Sequence, residues 1–294
     1  MIAILSDFPI ITDVDEPMSS IPINRRINNI ATLFSSLGLD FFKDLETRDP
    51  QYKAISKLRH IDPPVIPVMV SLNALVSFML SCRGEDYWYE FSCYVMRNFH
   101  KVRSNISIKA IIDFLIDFLV VSKCNRRFLN MKIKRLLRIR SNPEAKRLMD
   151  INFFLRDTLG FWKLLANLVG SKPESKTTVF SVKMYYYGIR SSLNLDMVLP
   201  FEIPIPVDRR IIRVTSACGL LKKPKDVGWI RDIWSLIGKL SGIPPLHLDV
   251  LLWLISPYIE FNDIVLAAKS FSREFNVKYD ISLKIFNVLL PSQQ

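Results

Sequence analysis

From Asn24 onward the apolar positions fall at helical rather than strand spacing. Ile27, Ile30, Leu33 and Phe34 recur three and four apart, which predicts a helix with one face on a core. RDPQY at 48–52 interrupts it, because the ring of Pro50 disfavours helical backbone at the preceding residue. Residues 63–82, PPVIPVMVSLNALVSFMLSC, carry no charge. Three prolines, three serines and Asn73 suit a lipid-facing helix poorly, so this stretch is expected to be a buried core helix from about Val68 to Cys82. Helical patterns follow at about Tyr87–Phe99, 107–122, 150–169, 177–190, 209–217, 228–240 and 246–256, with no element assigned beyond. The best alternating stretch, FEIPIPV at 201–207, has prolines that bar it from the middle of a sheet. Residues 1–25, punctuated by Pro9, Pro17 and Pro22, read as an irregular extension. The fold class predicted is all-α, without internal repeats.

Charge sharpens this picture at two places. Asp113 and Asp117 lie four apart on one face of 107–122, a spacing open to a catalytic pair or to the solvated side of an amphipathic helix. Residues 123–147 hold ten basic residues against one acid, Glu144, interrupted by Leu136, Leu137 and Ile139. That pattern predicts an amphipathic helix whose basic face either tracks phosphates or is simply solvated.

The chain as a whole has 294 residues, 49% of them hydrophobic, and a net charge of +12. Such a composition excludes a disordered chain, and a folded protein this basic points to a polyanion partner, most often nucleic acid. Cys82, Cys93, Cys124 and Cys218 form no CxxC pair and only three histidines are present, so no zinc or iron–sulfur set can be written. Scattered cysteines predict reduced, buried thiols in an intracellular protein. The acidic start, MIAILSDFPIITDVDE, lacks the basic region of a secretory signal, and an intracellular, non-secreted protein is expected.

Four short segments contain residues suited to chemistry. In SKPESKTTVFSVKMYYYG, 171–188, Pro173 and Ser175 stand where a helix begins and Gly188 near its end. Lys176, Phe180 and Lys183 then share one face. The positive end of the helix disfavours an ammonium at Lys176, and Lys183 adds weakly to that push, as an amine nucleophile requires. A surface lysine at a helix start has the same pattern. In LPFEIPIPVDRRIIRV, 199–214, Asp208 is first of all a helix N-cap, and a carboxylate held by rigid backbone also stabilises a nearby cation. SGIPPLHLDVLLWL, 241–254, places Asp249 and Trp253 on one face. Gln51 and Trp88 flank loops, where an aromatic either stacks on a base or packs in the core.

Taken together, RDPQY, LNALVSF with RGEDYW, SKTTVFSVK, LPFEIPIPVD and GIPPLHLDVLLWL resemble the archaeal 8-oxoguanine DNA glycosylases, a divergent branch of the helix-hairpin-helix superfamily. The matching words run from Asp49 to Trp253. The resemblance implies two helical subdomains with a cleft between them: 26–70 plus 165–294, carrying hairpin and nucleophile, and an inserted 71–164. It implies removal of 8-oxoguanine followed by strand nicking through a lysine Schiff base, with Lys176 as nucleophile and Asp208 as catalytic carboxylate. Gln51, Trp88, Phe180, Lys183, Asp249 and Trp253 match positions lining the base pocket. The implied partner is double-stranded DNA containing 8-oxoguanine, with single strands also open. No membrane, metal or cofactor is expected, and the chain is expected to be a monomer. The superfamily's Gly-rich hairpin word is absent; the turn before Lys176 reads GSKPES.

The chemistry agrees with those residue types. A base must leave the stack to be excised, at roughly a few kcal/mol. The oxidised base differs from guanine at O8 and N7–H, which an amide oxygen such as that of Gln51 and an indole N–H of Trp88 or Trp253 can read. Leaving such groups unpaired with the wrong base discriminates by up to about 10⁴. Two other readings use the same residues: a non-catalytic helical DNA-binding protein, and a Schiff-base enzyme on small carbonyl compounds. Retention of both Lys176 and Asp208 argues against the first, and the basic segment 123–147 against the second.

Overall fold

The computed structural model describes residues 22–221, 226–261 and 263–290. Among them the chain forms helices and no strand, the predicted class. The extension before residue 22 lies outside the described residues.

Helix α1 (Ile23–Glu46) buries Ile27, Ile30, Leu33 and Phe34 as the periodicity requires, and bends at Gly38, whose φ of 75° is left-handed. Asp49 starts α2 (Pro50–Ser56) by accepting the amide of Gln51. Helix α3 (Ile66–Val76) is buried at every position, so the uncharged stretch is a core helix. It stops short of Cys82 because 77–83 is drawn aside as a loop. Cys82 is disulfide-bonded to Cys124, and the amide of Ser81 donates to the carbonyl of Cys124. The expectation of four reduced thiols is therefore corrected; spacing along the chain does not reveal two cysteines brought together across 42 residues. Cys93 and Cys218 are free.

Helices α4 (Gly84–Asn98), α5 (His100–Arg103) and α6 (Ile108–Val121) complete that loop. Asp113 pairs with Arg140 and both acids of α6 are exposed, which settles Asp113 and Asp117 as a solvated face. The basic segment is a 3₁₀ turn (Lys123–Asn125), α7 (Leu129–Ser141) and a second 3₁₀ turn (Pro143–Met149). Its buried stripe is Lys132, Leu136 and Ile139, so one of the ten cations faces inward rather than outward. The expected helix 150–169 is two, α8 (Ile151–Arg156) and α9 (Thr158–Val169), because Asp157 caps the amide of Gly160 and restarts the chain.

Helix α10 (Lys176–Leu193) follows the hairpin. Gly170 is left-handed, the amide of Ser171 bonds back to Ala166, and the hydroxyls of Ser171, Ser175 and Thr178 bond one another at 2.8–3.1 Å. One glycine and three hydroxyls thus make a turn that lacks the Gly-rich word. Gly188 does not end α10; a Cβ there would stand 2.6 Å from Pro67 Cα, so it is the contact point against α3. After an extended run come α11 (Arg209–Ala217), α12 (Val227–Ser241) and α13 (Pro245–Ile255). Two further helices, α14 (Ile264–Phe275) and α15 (Tyr279–Leu289), were not expected. Among the described residues, no single helix is long and apolar enough to cross a membrane.

Two hydrophobic cores result. One is built from residues 54–203 with Leu246, the other from 27–45 together with 205–290. The cores divide near 46–53 and 204, and α10 packs with α3 in the first of them. The chain crosses between cores twice at these places, and the FEIPIPV segment is one crossing: Ile203 is buried in the first core and Ile205 in the second. Prolines 204 and 206 keep it extended, with no partner strand needed.

Candidate active site

The site lies where the two crossings meet α10 and α13. Lys176 is the first residue of α10, and its side chain is 44% exposed. Its Nζ stands 3.6 Å from Asp208 Oδ2, beyond an ordinary hydrogen bond. The two oxygens of Asp208 are placed differently. Oδ1 caps α11, accepting the amides of Arg210 at 2.8 Å and Ile211 at 3.0 Å, while Oδ2 faces the lysine.

Two turns along α10, Lys183 is almost wholly buried and meets Asp249 Oδ2 of α13 at 2.5 Å, with Asp49 Oδ2 at 4.0 Å. Asp49 also accepts the hydroxyl of Tyr187 at 3.1 Å. Burial works against the Lys183 ammonium, but the two carboxylates outweigh it and hold its pKa above the usual lysine value. Burial pushes Asp249 up, and Asp49 up to about 6, against the pull of Lys183. Lys183 is therefore no free cation pressing on Lys176, as its place on the helix face had suggested. Its charge is bound to two acids. Asp249 in turn feels both Asp208 and Lys176, which puts all four in one electrostatic group.

Around this group lie polar atoms that the protein leaves available. Gln51 is 6% exposed, yet no hydrogen bond to its side-chain amide is found among the described residues. The indoles of Trp162, Trp229 and Trp234 donate to protein oxygens at 2.8–2.9 Å. Among the described residues no such bond is found for Trp88 or Trp253. Trp88 is 1% exposed and packs edge-to-face on Phe180, Tyr87 and Phe91, so it walls the site rather than standing open within it. Trp253, half-buried, carries the guanidinium of Arg210 3.8 Å from its ring centroid. All eight residues singled out in the sequence thus come from α2, α4, α10, α13 and the cap of α11 to one region.

Several neighbours escaped the sequence reading. Asp49 gave a signal, an acid before proline. Glu46 gave none: it is fully buried and bonds His247 Nδ1 at 2.8 Å, Arg190 at 2.9 Å and Tyr186 at 3.1 Å. The amide of Leu199 donates to His247 Nε2, so the ring proton sits on Nδ1 toward Glu46, and both crossings are tied to α13.

This arrangement has relatives. The chain matches the profile of the AGOG N-glycosylase/DNA lyase family over residues 31–284. The chain belongs to this family. It is 39% identical over 207 residues to the N-glycosylase/DNA lyase of Methanopyrus kandleri, covering 70% of this chain and 79% of that protein. It is 32% identical over 237 residues to the enzyme of the same name from Pyrobaculum aerophilum, covering 78% and 85%. A crystal structure of the Pyrobaculum aerophilum 8-oxoguanine DNA glycosylase Pa-AGOG complexed with 8-oxoguanosine superimposes with a TM-score of 0.72 at 27% identity, over 90% of this chain and 97% of that one. The AGOG fold accounts for the absence of strands among the described residues, and the chain is an N-glycosylase/DNA lyase of base-excision repair.

Proposed function

We propose that this chain removes 8-oxoguanine from DNA, with Lys176 as nucleophile. The observation that carries the reading is the Lys176–Asp208 pair at 3.6 Å, an accessible amine beside a fixed carboxylate. The extruded nucleotide brings its C1′ between them. The amine of Lys176, deprotonated, attacks C1′ as the base departs with the electrons of the glycosidic bond. Asp208, held by two amides of α11, stabilises the positive charge that develops on the sugar and receives the lysine proton. The ring opens to an imine between Lys176 and C1′. Loss of a C2′ proton then expels the 3′ phosphate, and water releases the lysine.

The base itself meets Gln51, Trp88, Phe180 and Trp253, with Lys183 and Asp249 beneath. The free amide oxygen of Gln51 suits N7–H, and a free indole N–H suits O8. Lys183, fastened by Asp249 and Asp49, supports the pocket floor as a fixed dipole. That the Pyrobaculum relative was crystallised with 8-oxoguanosine supports the same ligand here.

Seven of the ten cations in 123–147 are exposed, Lys123, Arg126, Arg127, Lys134, Arg138, Lys146 and Arg147. This surface suits the phosphates of duplex DNA, and affinity should fall steeply with salt. One copy of the chain supplies every group named, consistent with a monomer.

Borohydride trapping on a duplex with one 8-oxoguanine tests the reading, with Lys176→Gln beside wild type. A covalent band for wild type alone is expected. A band in both moves the nucleophile elsewhere, and no band in either, with tight binding intact, makes the chain a binder or a glycosylase that forms no imine.

A further inference from the structure

Arg210 lies in the site without a part in the chemistry above. It follows the catalytic carboxylate by two residues, and its guanidinium lies over the ring of Trp253 at 3.8 Å. Its Nη2 donates at 2.7 Å to Oε1 of Glu85, the second residue of α4. Helix α4, which carries Glu85, contributes Tyr87 and Trp88 to the first core, whereas α11, which carries Arg210, contributes Ile211 to the second, against which Trp253 packs. The ion pair therefore joins elements of the two cores, with each side chain about one-quarter exposed. The other oxygen of Glu85, Oε2, is buried and has no partner. An arginine and a carboxylate can join through two parallel bonds, and here only one is made.

We infer that Arg210 is a placeholder for the extruded base: in the free protein its guanidinium covers the face of Trp253 on which the base stacks, and Glu85 restrains it there. The inference rests on the proposed pocket, in which Trp253 contacts the base. A guanidinium is a planar, delocalised cation with donors along its edge, so it stacks on an indole much as a purine does. It keeps water off an apolar face that is otherwise open, and it must leave before a base can lie there. Leaving breaks the bond to Glu85 but frees a cation next to the sugar–phosphate that Asp208 addresses, where a phosphate replaces the lost carboxylate. A free nucleoside has no phosphate, so it bears the cost of displacing Arg210 without that return. The latch therefore makes a base stack in the pocket more readily when it arrives on a DNA strand.

Two variants of the full chain test this, using titration with 8-oxoguanosine and, separately, with an 8-oxoguanine duplex. Glu85→Gln weakens the restraint, and Arg210→Ala removes the placeholder. Both are expected to tighten 8-oxoguanosine binding, about fivefold for Glu85→Gln if the pair behaves as a partly exposed ion pair. Arg210→Ala is expected to weaken binding of the duplex at the same time, and with a shallower salt dependence. A gain for the nucleoside cannot come from a damaged fold, so it separates a placeholder from a brace. If wild type binds 8-oxoguanosine and both variants bind it equally or more weakly, Arg210 is a fixed wall and the inference is overturned. If wild type neither binds 8-oxoguanosine nor forms a trapped adduct, the pocket itself is misassigned, and the placeholder falls with it.

Discussion

Lys183 and Asp249, 66 positions apart in sequence, meet at 2.5 Å with almost no solvent access. A pair so buried is costly to break by halves, since the surviving charge is left without a partner. Lys183→Met should destabilise the protein by about 3–5 kcal/mol. Lys183→Met with Asp249→Leu should recover part of that loss, because the second change removes one of the two carboxylates left without a cation and leaves only Asp49. Urea unfolding midpoints of four proteins (wild type, Lys183→Met, Asp249→Leu and the double variant) check the claim; a double variant as unstable as the sum of its parts would refute it. Lys183→Met and the double variant should both lose 8-oxoguanosine binding, whichever is the more stable.

Asp208 combines a cap with a charge, and the two can be separated. Asparagine caps a helix as well as aspartate does, so Asp208→Asn should change stability by less than about 0.5 kcal/mol. It removes the carboxylate facing Lys176, and base release should fall by about 10²–10⁴. Asp208→Ala should lose the same activity and a further 1 kcal/mol or so of stability. Thermal melts beside single-turnover base release distinguish these effects. Full activity in Asp208→Asn would remove the carboxylate from the mechanism.

The Asp49 carboxyl, pushed up by burial to about 6 from an ordinary 3.8, makes stability depend on pH. Between about pH 4 and 6 the folded chain holds a proton at Asp49 that the unfolded chain has released. Stability from this group is complete below about 4 and is lost as pH rises through 6. Asp49→Asn keeps the cap on α2 and does not titrate. The wild-type minus Asp49→Asn difference in unfolding free energy should therefore decline over that window, by about 3 kcal/mol at most. A difference that is flat, or that rises with pH, would contradict the burial argument.

The disulfide closes a 42-residue loop containing α4, α5 and α6. Restricting the unfolded chain to that extent is worth about 4 kcal/mol in the chain-entropy account. Reductant should lower the unfolding midpoint of wild type and leave Cys124→Ser unaffected. Equal midpoints for reduced and oxidised wild type would show that the bond contributes nothing to stability.

Much of this was legible in the sequence, for reasons that differ by residue. The apolar period of α1 and the uncharged run of α3 report burial directly, because a helix presents residues three and four apart to one side. Asp208 before a helix and Lys176 after Ser175 are end signals, and such signals depend only on neighbouring backbone. The end of α3 was not legible: the helix stops at Val76, and Cys82, expected to close it, instead sits in a loop bonded to a cysteine 42 residues away. Gly188 looked like a terminator, and only the approach of Pro67 reveals it as an interior contact. Helix α14 carries a legible signal, with Ile264, Ala267, Ala268, Phe271 and Phe275 at the helical period behind a capping Asp263.

The sequence by itself determined the helical class and the basic character, and it offered the residues that the proposed pocket uses. Those depend on local periodicity, on summed charge and on words that remain intact within short segments. Tertiary structure alone decided how the residues are paired. Lys183 read as a lone cation because its carboxylates come from α13 and from the cap of α2. Glu46 and His247 gave no sign of each other across 201 positions. Arg210 meets both Trp253 and Glu85 only because the packing brings α4, α11 and α13 together. Spacing along a chain specifies which side of a helix a residue occupies; what it meets there depends on the packing of every other helix.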